Sequence, residues 1–204
     1  MNAPAERSGA SRLTILSCLA LWLGAGAVSA AVAAEPAKPA PVKWATFTGA
    51  DGSFTISVPE GYTVEPNYRY DQLGPGKTIS GTSFTIPERM WQDSNLASDT
   101  YLSVETLPAA SGCTADLFLQ GGDSPTPVTD KGVAYSVATM GEGGAGNAYE
   151  QTVYALRASK PCTAVRTFIH STNICNYDPG SVAEFNHAAL VAQFDKIRRS
   201  LKLK

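Results

Sequence analysis

The sequence predicts an α+β protein: an antiparallel sheet of about six or seven strands with a long C-terminal helix packed on one face. Two observations carry this prediction. Between residues 44 and 170, short segments that alternate apolar and polar residues are separated by turns rich in glycine and proline, which is typical of antiparallel strands. After residue 181 the apolar residues recur instead at intervals of three and four, which is typical of an amphipathic helix.

The N-terminus has the pattern of a secretory signal peptide. Arg7 and Arg12 precede an apolar run at 13–28, and small residues follow that run. The run is shorter than the ~20 residues that a membrane-spanning helix needs. We expect cleavage after Ala34, with Ala30 as the alternative site. The predicted organisation is a signal peptide at 1–34, a Pro/Ala-rich tether at 35–43 and a single α+β domain at 44–204.

Export would place the protein in the periplasm or outside the cell, where disulfides persist. Three cysteines follow the predicted cleavage sites, namely Cys113, Cys162 and Cys175, so one disulfide is expected. The net charge is −2 and no basic block is present, which disfavours nucleic-acid binding. We expect a protein or small-molecule partner in the cell envelope, no stable membrane insertion after cleavage, and no cofactor.

The first half of the domain contains several predicted strands. Residues 54–58 alternate apolar and polar side chains, with 44–48 as one neighbour and 62–65 as a hairpin partner on the other side. The polar segment 66–77 is predicted to be a loop. The other predicted elements of this half are strands at 78–86 and 100–107 and one helical turn at 87–91, which begins with proline.

The second half contains the clearest strand pattern. Strands are predicted at 133–140, 148–157 and 162–170, and their short connections indicate an antiparallel meander. The glycine cluster at 141–146 lacks the GK[ST] ending of a phosphate loop and precedes a strand, so it is predicted to be a hairpin turn. A short helix is predicted at 114–119.

The C-terminal helix is predicted to begin at a capping box formed by Ser181 and Glu184. Arg198 and Arg199 lie in its last turn, where positive charge complements the helix dipole. Its apolar positions are Val182, Phe185, Leu190, Phe194, Ile197 and Leu201.

Six segments between residues 78 and 201 form a recognisable set: GTSFTIPERM, SNLASDTYLSVETLP, GVAYSVA, GAGNAYEQTVYAL, PCTAVRTFIHSTN and FDKIRRSL. Together they resemble a family of short exported bacterial proteins of unknown function, and this resemblance brings no activity with it. It implies that Cys113 and Cys162 form the disulfide and that Cys175 is an additional thiol.

A second resemblance concerns the segment FTISVPEGYTV together with the terminal FDKIRRSL. A strand followed by a Pro-x-Gly-aromatic turn, with such a helix at the end, is similar to the PsbP/Mog1-like proteins. That resemblance implies an antiparallel sheet flanked by helices. It also implies a binding or assembly factor without a shared set of catalytic residues.

One stretch combines residue types that occur in catalytic sites. Cys175, His170 and Asp178 lie within nine residues, and a cysteine nucleophile needs a histidine base and a third, orienting group. Nothing glycine-rich or helical follows Cys175 to supply oxyanion donors. We therefore expect Asp178 to open a turn or cap the helix, and the ring of His170 to bind a loop carbonyl. A metal site would need His187 as well, and the helical pattern directs His187 toward water. No catalytic or metal-binding residue is assigned.

Tyrosine and tryptophan side chains lie near Arg69 in segments that are predicted to be loops. Aromatic and arginine side chains on loops are typical of recognition surfaces, although two of these aromatic rings would equally well cover the core. We therefore expect a non-enzymatic binding or accessory module. The alternatives are a small hydrolase with an unrecognised site and an inhibitor of an envelope-acting enzyme. The candidate binding residues are Tyr68, Arg69, Tyr70, Trp91 and His170.

Overall fold

The structure is a computed structural model, and it describes residues 42–108 and 110–204. The predicted signal peptide, and the predicted tether as far as residue 41, lie outside the described residues. Within those ranges, no helix is long and apolar enough to cross a membrane.

Seven antiparallel strands form a large sheet. In chain order they are β3 (Thr63–Tyr70), β4 (Ile79–Thr85), β5 (Tyr101–Leu107), β6 (Thr126–Asp130), β7 (Val133–Gly144), β8 (Asn147–Leu156) and β9 (Cys162–Thr172). Their spatial order is β3-β4-β5-β9-β8-β7-β6. This sheet confirms the predicted fold class and the meander in the second half. The glycine cluster is a hairpin, as predicted, but β7 and β8 continue into it and leave only Ala145 and Gly146 as the turn.

A second, three-stranded sheet consists of β1 (Trp44–Thr48), β2 (Phe54–Pro59) and β10 (Lys202–Leu203). The predicted pairing of 44–48 with 54–58 is confirmed. The predicted pairing of 62–65 with the same strand is wrong, because Lys202 and Leu203 occupy that edge opposite Thr55 and Phe54. The chain after β2 therefore joins the large sheet, where β3 pairs with β4.

The predicted loop at 66–77 is wrong over its first part, because β3 continues to Tyr70. Pro66 lacks a backbone N–H, and such a residue is tolerated in an edge strand or at a bulge. Here both conditions are met: β3 is the edge strand, and its register shifts between Glu65 and Tyr68.

The C-terminal helix, α2, extends over His187–Arg199. It begins later than the predicted capping box, which is therefore wrong. Ala183 pairs with the loop at 93–95, because its N–H donates to the Asp93 carbonyl and its carbonyl accepts from Asn95 N–H. Asn186 caps the helix instead, and its side-chain oxygen accepts from Ala189 N–H at 2.9 Å.

One core lies between α2, the small sheet and one face of the large sheet. Leu190, Phe194 and Ile197 of α2 are buried there, as their spacing predicts. The other buried members of this core are Phe54, Ile56, Val58, Tyr62, Phe84, Ile86, Leu96, Leu102, Val104, Val165 and Ile169.

A single helical turn, α1 (Glu88–Trp91), follows Pro87 and confirms the predicted turn.

The opposite face of the large sheet is covered at one end only. The chain from β5 must reach β6 at the far edge, so the intervening segment crosses this face. Ala115, Phe118 and Leu119 of that segment are buried, and a 3₁₀ turn at Ala115–Leu117 replaces the predicted short helix. A Cys113–Cys162 disulfide, with Cα atoms 5.1 Å apart, attaches the segment to β9 and confirms the pairing implied by the family resemblance.

Candidate binding cleft

A cleft of about 700 Å³ occupies the uncovered part of that face. Successive side chains of β9 point to opposite faces of the large sheet. Val165 and Ile169 point into the core beneath α2, whereas Phe168 points into the cleft. The apolar and aromatic lining residues are Tyr68, Tyr70, Tyr101, Met140, Tyr149 and Phe168.

The aromatic rings form a continuous strip across the sheet, which we call the aromatic strip: Tyr68, Tyr101, Phe168 and Tyr149. Consecutive ring centroids are 5.4 Å, 5.2 Å and 6.2 Å apart. These separations are those of interacting aromatic pairs. The strip extends from β3 to β8, which is four strand intervals or about 19 Å.

The bulge in β3 explains why Tyr68 and Tyr70 face the cleft. Glu65 lies opposite Ser83 and Tyr68 lies opposite Gly81, so three steps along β3 match two steps along β4. One extra residue in a strand reverses the faces of all the residues that follow it. Without the bulge, Tyr68 and Tyr70 would point to the other face.

Small side chains on β4 let the strip cross that strand. Tyr68 is on β3 and Tyr101 is on β5, with β4 between them. On the cleft face, β4 presents Gly81 and Ser83, and neither has a side chain long enough to stand between the two rings. The two tyrosine hydroxyl oxygens are therefore able to form a hydrogen bond of 2.7 Å.

Burial favours the neutral form of these phenols beyond the preference that they have in water. It raises the pKa of Tyr101 to about 12 and the pKa of Tyr68 well above its usual range. Both side chains are neutral at physiological pH, so they offer the cleft hydrogen-bonding hydroxyl groups and no charge.

Beneath the strip lies a buried, fully partnered arginine. Arg166 is 0% exposed, and its guanidinium donates to Glu105, to Gln151 Oε1 at 2.6 Å and to the Phe118 carbonyl. The ring of Tyr70 lies 3.6 Å from its Cζ. Burial disfavours the arginine charge, but Glu105 outweighs that effect and the pKa of Arg166 is raised. The pair supports the cleft floor by holding Gln151 and Tyr70 in place.

The remaining lining residues are polar and mixed in sign. Three of them carry a formal charge at neutral pH, the cation Arg69 and the acids Asp71 and Glu142. Three carboxamides, Gln72, Gln120 and Gln151, supply neutral donors and acceptors.

The structure brings some of the predicted binding residues together and not others. Tyr68, Arg69 and Tyr70 line the cleft. Trp91 is not a lining residue, because it packs partly buried against the core beneath α2. The sequence interpretation missed Tyr101, Tyr149 and Phe168. They lie on predicted strands, but only the register across β5, β9 and β8 shows that they share a face.

His170 extends the strip at one end, with its ring 4.4 Å from that of Tyr149. Its Nδ1 lies 2.8 Å from Asp99 Oδ1 and its Nε2 lies 3.2 Å from Asn147 Oδ1. The predicted partner was a loop carbonyl, and the structure shows a loop carboxylate and a side-chain amide instead. Because both ring nitrogens are engaged, His170 links the loop before β5 to the turn end of β8.

The other residues of the catalytic and metal alternatives are apart from the cleft. Cys175 is exposed in a 3₁₀ turn, and Asp178 opens a turn in which its carbonyl accepts from Ser181 N–H. The side chain of His187 is 51% exposed, as predicted, and lies 2.9 Å from Glu150. Within the ranges that the structure describes, no three or more His, Cys, Asp or Glu side chains form a cluster that would hold a metal ion.

The fold and the cleft define an α+β protein with an aromatic-lined cleft on the open face of an antiparallel sheet. No protein-family model matches the sequence, and no curated protein matches it. Among solved structures, the chain is similar to the Ran-binding protein Mog1p of Saccharomyces cerevisiae, with 12% identity and a TM-score of 0.48 over 80% of this chain and 96% of that chain.

The chain is also similar to cyanobacterial PsbP (CyanoP) from Synechocystis sp. PCC 6803. The identity is 12% and the TM-score is 0.43, over 84% of this chain and 99% of that chain. Both TM-scores are below 0.5, and the PsbP/Mog1-like resemblance stays a prediction. The resemblance to a family of exported bacterial proteins stays a prediction.

Proposed function

We propose that the chain is an exported, non-enzymatic binding module of the cell envelope, and that it takes its ligand in the cleft. The single observation that supports this proposal is the aromatic strip, in which four rings from four strands line one concave surface. Sites for small molecules are typically clefts of this volume, lined by aromatic side chains with a few polar groups that orient the ligand.

The buried charges around the cleft favour binding over catalysis. Arg166 and Glu105 are fully partnered by each other and by their neighbours, so neither has a free group to offer a reacting substrate. His170 has both ring nitrogens engaged. A general base must lie within hydrogen-bond reach of the proton that it removes. The two partners of the His170 ring are oxygen atoms of Asp99 and Asn147, and neither is a hydroxyl or thiol that the ring could activate.

A small-molecule screen by NMR tests the binding proposal. Amide chemical shifts of the labelled protein are measured against a chemically diverse library. We expect compounds that shift the amides of Tyr101, Tyr149 and Phe168 together, because these residues share the cleft. The proposal is wrong if no compound shifts this group, or if hits collect only at other surfaces.

Export is tested separately. The full chain is expressed in a Gram-negative host, and the mass of the protein in the periplasmic fraction is measured. The sequence pattern predicts a mature N-terminus after Ala34 or after Ala30. Retention of the full-length chain in the cytoplasm would contradict the export part of the proposal and leave the cleft part standing.

A further inference from the structure

We propose that the ligand of the cleft is an uncharged oligosaccharide several sugar rings long. This inference rests on the proposed function and adds the chemical class of the ligand. A pyranose ring presents C–H groups on its faces and hydroxyl groups around its edge. It therefore needs a surface that combines aromatic rings with neutral donors and acceptors, and the cleft combines the two.

The polar lining selects against a strongly charged ligand. One cation and two acids, Arg69, Asp71 and Glu142, are spread over β3, the residue after it and β7. A phosphate-rich or polyanionic ligand would need clustered positive charge, which this lining does not provide. The tyrosine hydroxyls and the carboxamides of Gln72 and Gln120 instead match sugar hydroxyls, which both donate and accept hydrogen bonds.

The strands beneath the cleft select against an extended peptide. A peptide that adds to a sheet needs an unpaired strand edge for its backbone groups. β5, β9 and β8 carry most of the aromatic strip, and each is paired on both sides within the large sheet. Over these three strands the floor of the cleft therefore offers side chains only, which suits a ligand without a peptide backbone, and the unpaired edge at this end of the sheet belongs to β3.

The shape of the aromatic strip selects for an elongated ligand. The strip crosses four strand intervals, about 19 Å, and its rings are spaced at 5.2 Å to 6.2 Å. A single sugar would contact one or two of these rings, whereas a chain of sugars would contact all of them. We therefore expect affinity to rise with the number of sugar units.

Calorimetric titration of the full chain tests the inference. The uncharged probes are maltotetraose, cellotetraose and chitotetraose. Glucose and N-acetylglucosamine serve as single-ring comparisons, and a hyaluronan tetrasaccharide serves as the charged comparison. We expect saturable binding of at least one uncharged tetrasaccharide, and weaker binding of its single-ring unit and of hyaluronan.

Variants place the binding in the cleft. Tyr149→Leu removes one ring of the strip, and we expect it to weaken the best tetrasaccharide about tenfold. Tyr177→Leu is the matched control outside the cleft and should leave the affinity unchanged. A second pair of variants keeps the test valid if Tyr149→Leu does not fold. Gln120→Ala changes an exposed lining residue, and its control Gln92→Ala changes an exposed residue outside the lining.

The inference is overturned if no uncharged tetrasaccharide binds, if hyaluronan binds best, or if the cleft variants and their controls bind alike. The NMR screen then separates the two levels of the proposal. Cleft hits of another chemical class would mean that the binding function stands and the ligand class is wrong. The absence of cleft hits of any class would mean that the proposed function is wrong as well.

Discussion

Arg166 and Glu105 form a two-point ion pair inside the large sheet, with Nε to Oε1 at 2.8 Å and Nη2 to Oε2 at 3.0 Å. Both side chains are 0% exposed. Ser103 also donates to Glu105, so the carboxylate is fully partnered. A buried pair of this kind holds its neighbours in place, because moving either ion would leave the other without a partner in a medium of low dielectric.

We expect Glu105→Ala to destabilise the fold by about 3–5 kcal/mol, because it leaves the Arg166 charge buried and uncompensated. The free energy of unfolding from urea titration measures this. The matched control is Glu150→Ala, which removes an exposed pair with His187 and should cost less than about 1 kcal/mol. Equal losses in the two variants would contradict this account. The double variant Glu105→Leu with Arg166→Met should recover much of the loss, because no buried charge remains.

Tyr101 should make the fold sensitive to alkali. Its pKa is raised to about 12 in the folded chain and is about 10 in the unfolded chain. A group whose pKa is raised on folding contributes stability that is fully present below the unfolded value and is lost as pH rises through the folded value. The unfolding free energy of the wild type should therefore fall between about pH 10 and pH 12, and Tyr101→Phe should lose less over that interval. If the unfolding free energies of the wild type and Tyr101→Phe fall in parallel over this pH interval, Tyr101 ionises equally in the folded and unfolded chains and the prediction is wrong.

Much of the fold could be predicted from the sequence because alternation and helical spacing are local properties. The strands of the meander and the buried positions Leu190, Phe194 and Ile197 follow from them directly. The start of α2 did not follow, because Ser181 and Asn186 are both acceptable caps by local chemistry. The backbone of Ala183 pairs with the loop at 93–95, so the helix begins only after that pairing, at Asn186. The loop is far from Ala183 in the sequence, so no local pattern reveals this contact.

The cleft could be predicted only in part. Tyr68 and Tyr70 were candidates because of their residue types, although the segment was interpreted as a loop. The bulge that turns them toward the cleft depends on pairing with β4. Tyr101, Tyr149 and Phe168 have the ordinary alternation of strand residues, so only the assembled register identifies them as neighbours.

The disulfide should contribute strongly to stability. Cys113 and Cys162 are separated by 49 residues in the sequence. In the chain-entropy account, closing a loop of that length removes conformational entropy from the unfolded chain and so raises its free energy by about 4 kcal/mol. We expect Cys113→Ser to lower the free energy of unfolding by a few kcal/mol. Cys175→Ser is the control, because Cys175 is exposed and lies outside the disulfide. If Cys113→Ser and Cys175→Ser cost the same, the disulfide does not stabilise the fold in solution.

Two substitutions in the turn between β7 and β8 should change the free energy of unfolding in opposite directions. Ala145 has φ 50° and Gly146 has φ 81°, so both central residues adopt the left-handed conformation that such two-residue hairpin turns require. Alanine is disfavoured there whereas asparagine is tolerated, so Ala145→Asn should raise the free energy of unfolding by about 0.5–1 kcal/mol. Gly146→Ala should lower it by about 1 kcal/mol or more, because a Cβ would strain the backbone and meet the side chain of Asn176. Urea titration of the two variants beside the wild type measures both changes. Two changes of the same sign would mean that the turn has another conformation in solution.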